Sequence, residues 1–238
     1  MFLKNKMKSS VVLLSGGLDS TVLLAKLKAD GRRVVALGID YGQRHCREID
    51  AARAICERLG VEYRVADLKN LSQFFGNNSL TDKSQKVYEG NYDEAGMKTT
   101  VVPARNMILV SIATAWAVSL KCDSIAYAAH GGDHAIYPDC RPEFADALDK
   151  VVQIADWHKV VLERPFVDMT KAEIVKLGAE IGAPLDLTWS CYNGGNVHCG
   201  KCSTCMERRE AFKIAGVPDP TIYARRFERG NALFAKRF

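Results

Sequence analysis

Apolar residues along this chain fall into short strand-length runs separated by stretches of helical period. VVLL (11–14) is such a run, ended by Ser15-Gly16-Gly17, and Val22, Leu23 and Leu27 then share a helix face up to Gly31. RVVALGI (33–39) is β-branched and apolar, which predicts a buried strand. In REIDAARAICERLG, Ile49, Ala52, Ile55 and Leu59 recur at helical spacing and Gly60 supplies the stop. VEYRVAD (61–67) predicts a third strand. MILVSIATAWAVSL (107–120) reads as a helix buried on several sides, SIAYAA (124–129) as a strand, and Phe144, Leu148, Val151 and Ala155 as the inner face of a further helix. VVLERP (160–165) is the last strand. Thr170 and Glu173 make a T-x-x-E capping box before a helix whose Ile174, Leu177, Gly178 and Ile181 line one face. Residues 76–98 carry no usable period and few apolar positions. Loops of that length are commonly lids or disordered segments, and a lid is favoured here over a linker.

The order β-α-β-α-β followed by α-β-α-β-α predicts an α/β fold, a doubly wound, mainly parallel sheet with helices on both faces. Ligands in such sheets bind at the carboxyl ends of the strands, where the strand order reverses. The segment after residues 11–14 is therefore the first place to look for chemistry. A chain of 238 residues suits one large domain, or one domain with a small appendage, and the boundary is expected near 186/187. A composition of 47% hydrophobic and 26% charged residues is that of an ordinary globular protein. The net charge of +5 fits a solvated surface or a weak positive field for anionic substrates, and direct nucleic-acid binding is not expected. Basic residues are densest in Lys4–Lys8 and Arg225–Arg229. The start MFLKNKMKSS lacks a secretion signal, and no run of 18 apolar residues suggests a membrane span. The expected location is cytoplasmic.

Leu14-Ser15-Gly16-Gly17-Leu18-Asp19-Ser20-Thr21 follows the first strand and opens a helix. Two glycines let the backbone approach an anion, and successive N–H groups at a helix N-terminus form a nest for phosphate. Ser15, Ser20 and Thr21 add hydroxyl donors, and Asp19 is placed either to ligate Mg2+ or to cap the helix. The loop is neither Walker A nor G-x-G-x-x-G. Eight cysteines in an apparently unexported chain argue against a disulfide framework. Cys46, Cys56, Cys122 and Cys140 are scattered, whereas Cys191, Cys199, Cys202 and Cys205 follow C-x7-C-x2-C-x2-C. Four thiolates at that spacing suit one tetrahedral structural Zn2+ with no open position, an iron–sulfur cluster being the alternative. His198 beside Cys199 is read as an outer neighbour or a surface residue.

SGGLDS after a strand resembles the pyrophosphate loop (PP-loop) of the N-type ATP pyrophosphatases. That resemblance implies the adenine-nucleotide alpha-hydrolase-like fold, ATP with Mg2+ as reactant, and adenylation chemistry. It also implies that Asp40, Tyr41 and Gln43 lie near the adenosine and that Lys171, in PFVDMTK, reaches a phosphate. VPARNMILVSIA (102–113), HGGDHAIYPDCRPEF (130–144), SCYNGGNVHCGKCSTC (190–205) and IDYGQRH (39–45) together resemble the QueC family of queuosine precursor biosynthesis, from about residue 9 to about residue 224. The family resemblance implies a ligase forming carbon–nitrogen bonds, with 7-carboxy-7-deazaguanine, ammonia and ATP as substrates, and a homodimer. It implies a PP-loop domain over 1–186 and a zinc-binding region with a C-terminal tail over 187–238.

Catalytic roles are expected for Asp19, Arg105 and Lys171. Arg105, Asn106, Asp133, Tyr137, Asp139 and Arg141 are expected around the substrate; Arg105 and Asn106 are placed to bind the substrate carboxylate, as a bidentate Arg105 pair, or the α-phosphate, and Asp133 or Asp139 is the alternative as a metal ligand. His130 and His134 are weaker candidates as proton acceptors, and Cys140 is read as a buried thiol. Three rival readings share parts of the pattern. They are a tRNA thiolation enzyme, a zinc-ribbon binding module on a vestigial ATPase fold, and a paralogue that passes the activated acid to another amine.

Overall fold

The computed structural model of the protein describes residues 7–44, 46–76, 78–82, 84–90 and 97–224. Most of the basic segment Lys4–Lys8, all of Arg225–Arg229, and part of loop 76–98 lie outside the described residues.

Five parallel strands form one sheet in the order β3-β2-β1-β4-β5, with β1 Ser9–Leu13, β2 Arg33–Asp40, β3 Glu62–Asp67, β4 Ser124–Ala126 and β5 Val161–Glu163. The helices are α1 Leu18–Ala29, α2 Arg47–Leu59, α3 Arg105–Ser119, α4 Pro142–Ile154, α5 Lys171–Glu180 and α6 Ser203–Ala215. The chain winds outward from β1 through β2 to β3, then returns to the other side of β1, so the order reverses between β1 and β4.

Alternate strand residues feed two cores, as the pleat requires. Val11, Val35, Leu37, Ile39 and Ile125 face α3 and α4, where they meet Val110, Ala113, Ala117, Ala145, Leu148 and Val152. Val12, Ala36 and Ala126 face the opposite way, onto Leu18, Val22, Ile55, Ile174 and Phe212. The strand β3 is an edge, mostly exposed, and carries Glu62 and Arg64 as charges that discourage further pairing.

Gly60 ends α2 in the left-handed region at φ 62°, and the Thr170–Glu173 capping box opens α5, as the sequence predicts. Three readings need correction. The strands expected over 124–129 and 160–165 keep only three residues each, and beyond Ala126 the chain leaves the sheet, with Tyr127, Ala128 and Ala129 walling a cavity. The helix α3 is buried on one face only. Val110 and Ala113 are fully buried while Met107 is 46% exposed, since the sheet covers a single side. By length and composition alone Lys98–Ser119 would cross a membrane, yet α3 packs on β1 and β4. In α4 the inner face is Ala145, Leu148 and Val152, and Val151 stands outside at 57% exposure.

The described part of loop 76–98 is tied down. Leu80 packs with Phe75 and Val102, and Arg44 Nη1 donates to the carbonyls of Ser79 (3.3 Å) and Gln85 (2.6 Å). Glu89 forms an antiparallel bridge with Cys202.

The helix α6 is docked by a fully buried cation. Arg208 donates to Thr188 Oγ1 (2.7 Å), Ser190 Oγ (3.3 Å), the Leu185 carbonyl (3.2 Å) and Asp219 Oδ1 (3.2 Å), and its guanidinium lies 4.8 Å from the Phe212 ring centre. Removing one partner of such a set leaves the others buried and unmatched, at a cost of roughly 3 kcal/mol or more. Arg208→Met should therefore lower the urea midpoint by an amount corresponding to about 3 kcal/mol, while Arg53→Met, at an exposed pair, should change it by less than about 0.5 kcal/mol.

Candidate active site

A cavity of about 260 Å³ opens where the strand order reverses. Its floor is the turn from β1 into α1. Gly16 has φ +87°, and a Cβ there would run into the Glu48 carbonyl, so only glycine fits. Gly17 caps α1 through its backbone alone. The hydroxyls of Ser15 and Ser20 lie 3.0 Å apart, Ser15 Oγ accepts from the Gly17 N–H (3.2 Å), and Thr21 Oγ1 donates to the Gly17 carbonyl (2.7 Å). Leu14, Ser15, Gly17, Leu18, Asp19 and Ser20 line the cavity, presenting it with the N-terminal end of a helix, a favourable place for an anion.

Beside this floor lies a charged group drawn from four segments. Lys171, the first residue of α5, places Nζ 3.3 Å from Asp19 Oδ2 and 2.7 Å from Glu207 Oε2 on α6. His130, just after β4, sets Nε2 3.8 Å from Asp19 Oδ2 and 3.5 Å from Asp133 Oδ2. Burial works against ionising Asp19, but Lys171 and His130 outweigh it and hold the carboxyl below its usual range. Burial would depress Lys171, yet Asp19, Glu207 and Asp133 push it well above the ordinary lysine value. Glu207 is raised by burial, and Lys171 offsets only part of that.

The opposite wall is aromatic and basic. Arg105 opens α3 directly after Ala104, which sits in the left-handed region at φ 51°. A non-glycine residue held there is a strained backbone position, the kind that marks functional sites. The Arg105 guanidinium is 5.8 Å from the Tyr137 ring centre, and it interacts with the hydroxyls of Tyr41 and Tyr192. Burial raises all three phenols. Burial also lifts the Glu48 carboxyl from 4.5 to about 7, against the pull of Arg105. Such a displaced carboxyl in a cleft is a functional signal.

The structure gathers most of the expected residues here: Tyr41, Gln43, Arg105, Asn106, Asp133, Tyr137, Cys140 and Lys171 line the same cavity as the floor. Others stand behind it. Asp40 is turned away, accepting from the Gly42 N–H (3.1 Å) and pairing with Lys69 (3.1 Å). Asp139 accepts from the Asn106 N–H (2.9 Å), and the Asn106 side chain donates to the Asp139 carbonyl (3.0 Å), so together they fix the start of α3. Arg141 Nε donates to the His134 carbonyl (2.8 Å). Cys140 is buried and its thiol pushed far up, which suits a packing role. Sequence reasoning missed Glu48, Trp189, Tyr192 and Glu207. Glu48 reaches the cavity through a helix that the pattern explains as core packing. Tyr192 and Glu207 adjoin Cys191 and Cys205, and that adjacency was the available clue.

The Sγ atoms of Cys191, Cys199, Cys202 and Cys205 lie within 4.8 Å of one another. The N–H groups of Lys201 and Cys202 donate to Cys199 Sγ and that of Cys199 to Cys191 Sγ, at 3.3–3.5 Å. Such donors stabilise thiolate charge, and the four can hold a metal ion. His198 is a buried neighbour, not a surface residue. It accepts from the Ser190 N–H through Nε2 (3.1 Å) and stacks 4.3 Å from the Trp189 ring centre, and burial lowers its pKa to about 4.

The family described as "Queuosine biosynthesis protein QueC" matches residues 9–216. A 7-cyano-7-deazaguanine synthase of Psychromonas ingrahamii is 47% identical over 216 residues, covering 91% of this chain and 98% of its own. One of Marinobacter nauticus is 48% identical over 217 residues, covering 91% and 98%. Among solved structures, an NMN synthetase of Francisella tularensis aligns with a TM-score of 0.51 at 14% identity, over 90% of this chain and 79% of that one, a likeness of fold alone. The chain belongs to the QueC family of queuosine biosynthesis.

Proposed function

We propose that this chain is an ATP-dependent ligase that converts 7-carboxy-7-deazaguanine and ammonia into 7-cyano-7-deazaguanine. The observation that carries the reading is one cavity, in a member of this family, that joins the Ser15–Ser20 loop to Arg105 and to Tyr41, Tyr127, Tyr137 and Tyr192. A carboxylate is a poor electrophile, so one oxygen must become a leaving group. Attack of that oxygen on the α-phosphorus of ATP releases pyrophosphate and gives an acyl adenylate. Ammonia displaces AMP and loses a proton, leaving the amide. The amide oxygen attacks a second ATP, pyrophosphate leaves again, and loss of AMP with the remaining N–H protons gives the nitrile.

Each residue takes a role from its place. The helix end at Gly17–Ser20 and Lys171 hold the phosphates and stabilise the charge that develops on them. Tyr41 and Gln43 border the adenosine, while Asp40 shapes their turn. Arg105 receives the substrate carboxylate, and Tyr137 and Tyr192 flank the flat bicyclic base. Asn106, Asp139 and Arg141 act from behind by fixing the start of α3 and the loop after β4. Asp19 and Asp133 fit the oxygen donors that Mg2+ prefers, and that ion would neutralise phosphate charge. The four cysteines suit Zn2+, which would fasten the segment that carries them to the ATP-binding body. The homodimer and the cytoplasmic location rest on the family resemblance and on the sequence respectively.

Mass spectrometry of a reaction with ATP, Mg2+, ammonium and 7-carboxy-7-deazaguanine should show the nitrile, with two AMP per product from the two activations. Asp19→Ala should lower turnover by at least about a hundredfold while the chain remains folded by circular dichroism. Amide as the only product would overturn the nitrile assignment. Cys202→Ser should lose bound metal and melt several degrees lower, because metal binding is coupled to folding. An unchanged melting temperature would refute a structural metal.

Glu48 gives a pH prediction. Its folded value of about 7 exceeds the ordinary 4.5, so between these values the folded protein holds a proton that the unfolded chain has released. Its contribution to stability therefore falls as pH rises from about 4.5 to about 7. Glu48→Gln should become progressively more stable relative to the parent across that window and level off above it, as read from urea unfolding at stepped pH.

A further inference from the structure

Among the described residues four carboxylates line the cavity, and three of them are engaged. Asp19 and Glu207 pair with Lys171 at 3.3 and 2.7 Å, and Asp133 faces His130 at 3.5 Å. Glu48 is the fourth. Its carboxyl makes no hydrogen bond and no ion pair to any described residue, and Arg105 attracts it only across space. Its place is fixed from behind. Ala52 and Ile55 bury α2 against the sheet, and the Glu48 carbonyl lies hard against Gly16 in the loop after β1. The side chain therefore stands between the start of α1 and Arg105 at the start of α3. The titratable and charged groups around it are Arg105 on α3, Tyr41 after β2 and Tyr192 beside the cysteines. Its charge adds to the burial that raises both phenols.

In the ligase reading, on which this inference rests, the acyl carbon is joined through oxygen to a phosphate held at the start of α1, and its remaining oxygen is held by Arg105. That carbon must lie between the two, beside Glu48. Both rounds of chemistry remove protons from a nitrogen bonded to it. A carboxylate locked to Lys171 is a poor acceptor for them, whereas an unpaired one is free to take them. Glu48 titrates near neutrality because burial raises it to about 7, and such a group suits proton transfer at neutral pH.

We propose that Glu48 is the general base of both nitrogen steps. In the first, the ammonia lone pair bonds to the acyl carbon and the C=O pair shifts to oxygen. Glu48 takes one N–H proton, the pair returns, and the C–O bond to AMP breaks, leaving amide, AMP and a neutral Glu48. That proton passes to solvent before the second activation. Adenylation of the amide oxygen gives an iminium nitrogen, which loses one proton to water. Glu48 takes the last N–H proton as the nitrile forms, and AMP leaves with the electron pair of the C–O bond.

Single-turnover reactions of Glu48→Gln separate the steps. With ATP, Mg2+ and 7-carboxy-7-deazaguanine but no ammonium, pyrophosphate release should stay within about threefold of the parent, because adenylation of the acid moves no N–H proton. With ammonium, amide formation should fall by about 100- to 10,000-fold, the usual worth of a general base. Hydroxylamine is a stronger nucleophile and is unprotonated at neutral pH, so hydroxamate formation should stay within about tenfold of the parent. Amide formation unchanged by Glu48→Gln would overturn the assignment. So would an equal loss of pyrophosphate release, ammonia transfer and hydroxylamine transfer, the pattern of a merely structural residue. A parent that releases no substrate-dependent pyrophosphate would sink the ligase reading and this base with it, whereas intact release with ammonia transfer indifferent to Glu48 would sink the base alone.

Discussion

The contact on which the rest of the site depends is the one made by Lys171. Its ammonium stands 3.3 Å from a carboxylate at the start of α1 and 2.7 Å from one on α6, at 16% side-chain exposure. A single side chain at the head of α5 thus ties together the starts of two helices and the body of a third. Desolvating these charges opposes folding, and the mutual attraction roughly offsets that. The group is therefore weak as a source of stability. It is strong as a positioning device, because each charge has one low-energy place and holds the helix that carries it.

Everything near Lys171 follows from where the strand order reverses. β1 and β4 lie side by side, yet the segments that leave them go to opposite faces of the sheet. The gap between them cannot be filled by a connection, so it becomes the cavity. The early exit of the chain after Ala126 widens it. Tyr127, Ala128 and Ala129, which a strand would have buried in the ladder, become wall instead. The shortened strands that the hydrophobic pattern missed are thus part of how the site is made.

The sequence revealed what depends on local pattern. Parallel order, strand–loop–helix at Ser15–Ser20, the Thr170–Glu173 box and the four-cysteine spacing are all written in neighbouring residues. Glu48 is legible only in three dimensions. Its backbone carbonyl faces Gly16 and its carboxyl faces Arg105, a residue far along the chain. Asp40 is the converse case. At a strand's carboxyl end it matched the expected pattern, but the turn at Gly42 and the nearby Lys69 draw its carboxylate off the cavity. Side-chain direction at a strand end is set by the turn that follows, which spacing does not encode. The same holds for Val151, where a plausible helical period lay one residue from the true inner face.

Glu207 shows how the helix that carries two of the cysteines reaches the cavity. Cys202 caps α6 and Cys205 lies in its first turn, so whatever fixes the thiols fixes the axis and rotation of that helix. Glu207 is two residues further and Arg208 three, and their directions follow from that rotation. Arg208 enters the pocket of Thr188, Ser190 and Asp219, and Glu207 enters the cavity at Lys171. The bridge between Glu89 and Cys202 brings loop 76–98 to the same point. One short helix therefore couples a cysteine cluster, a buried arginine and the lysine that pairs with Asp19. The cysteine cluster sets the position of a cavity carboxylate even though none of its sulfurs lines that cavity.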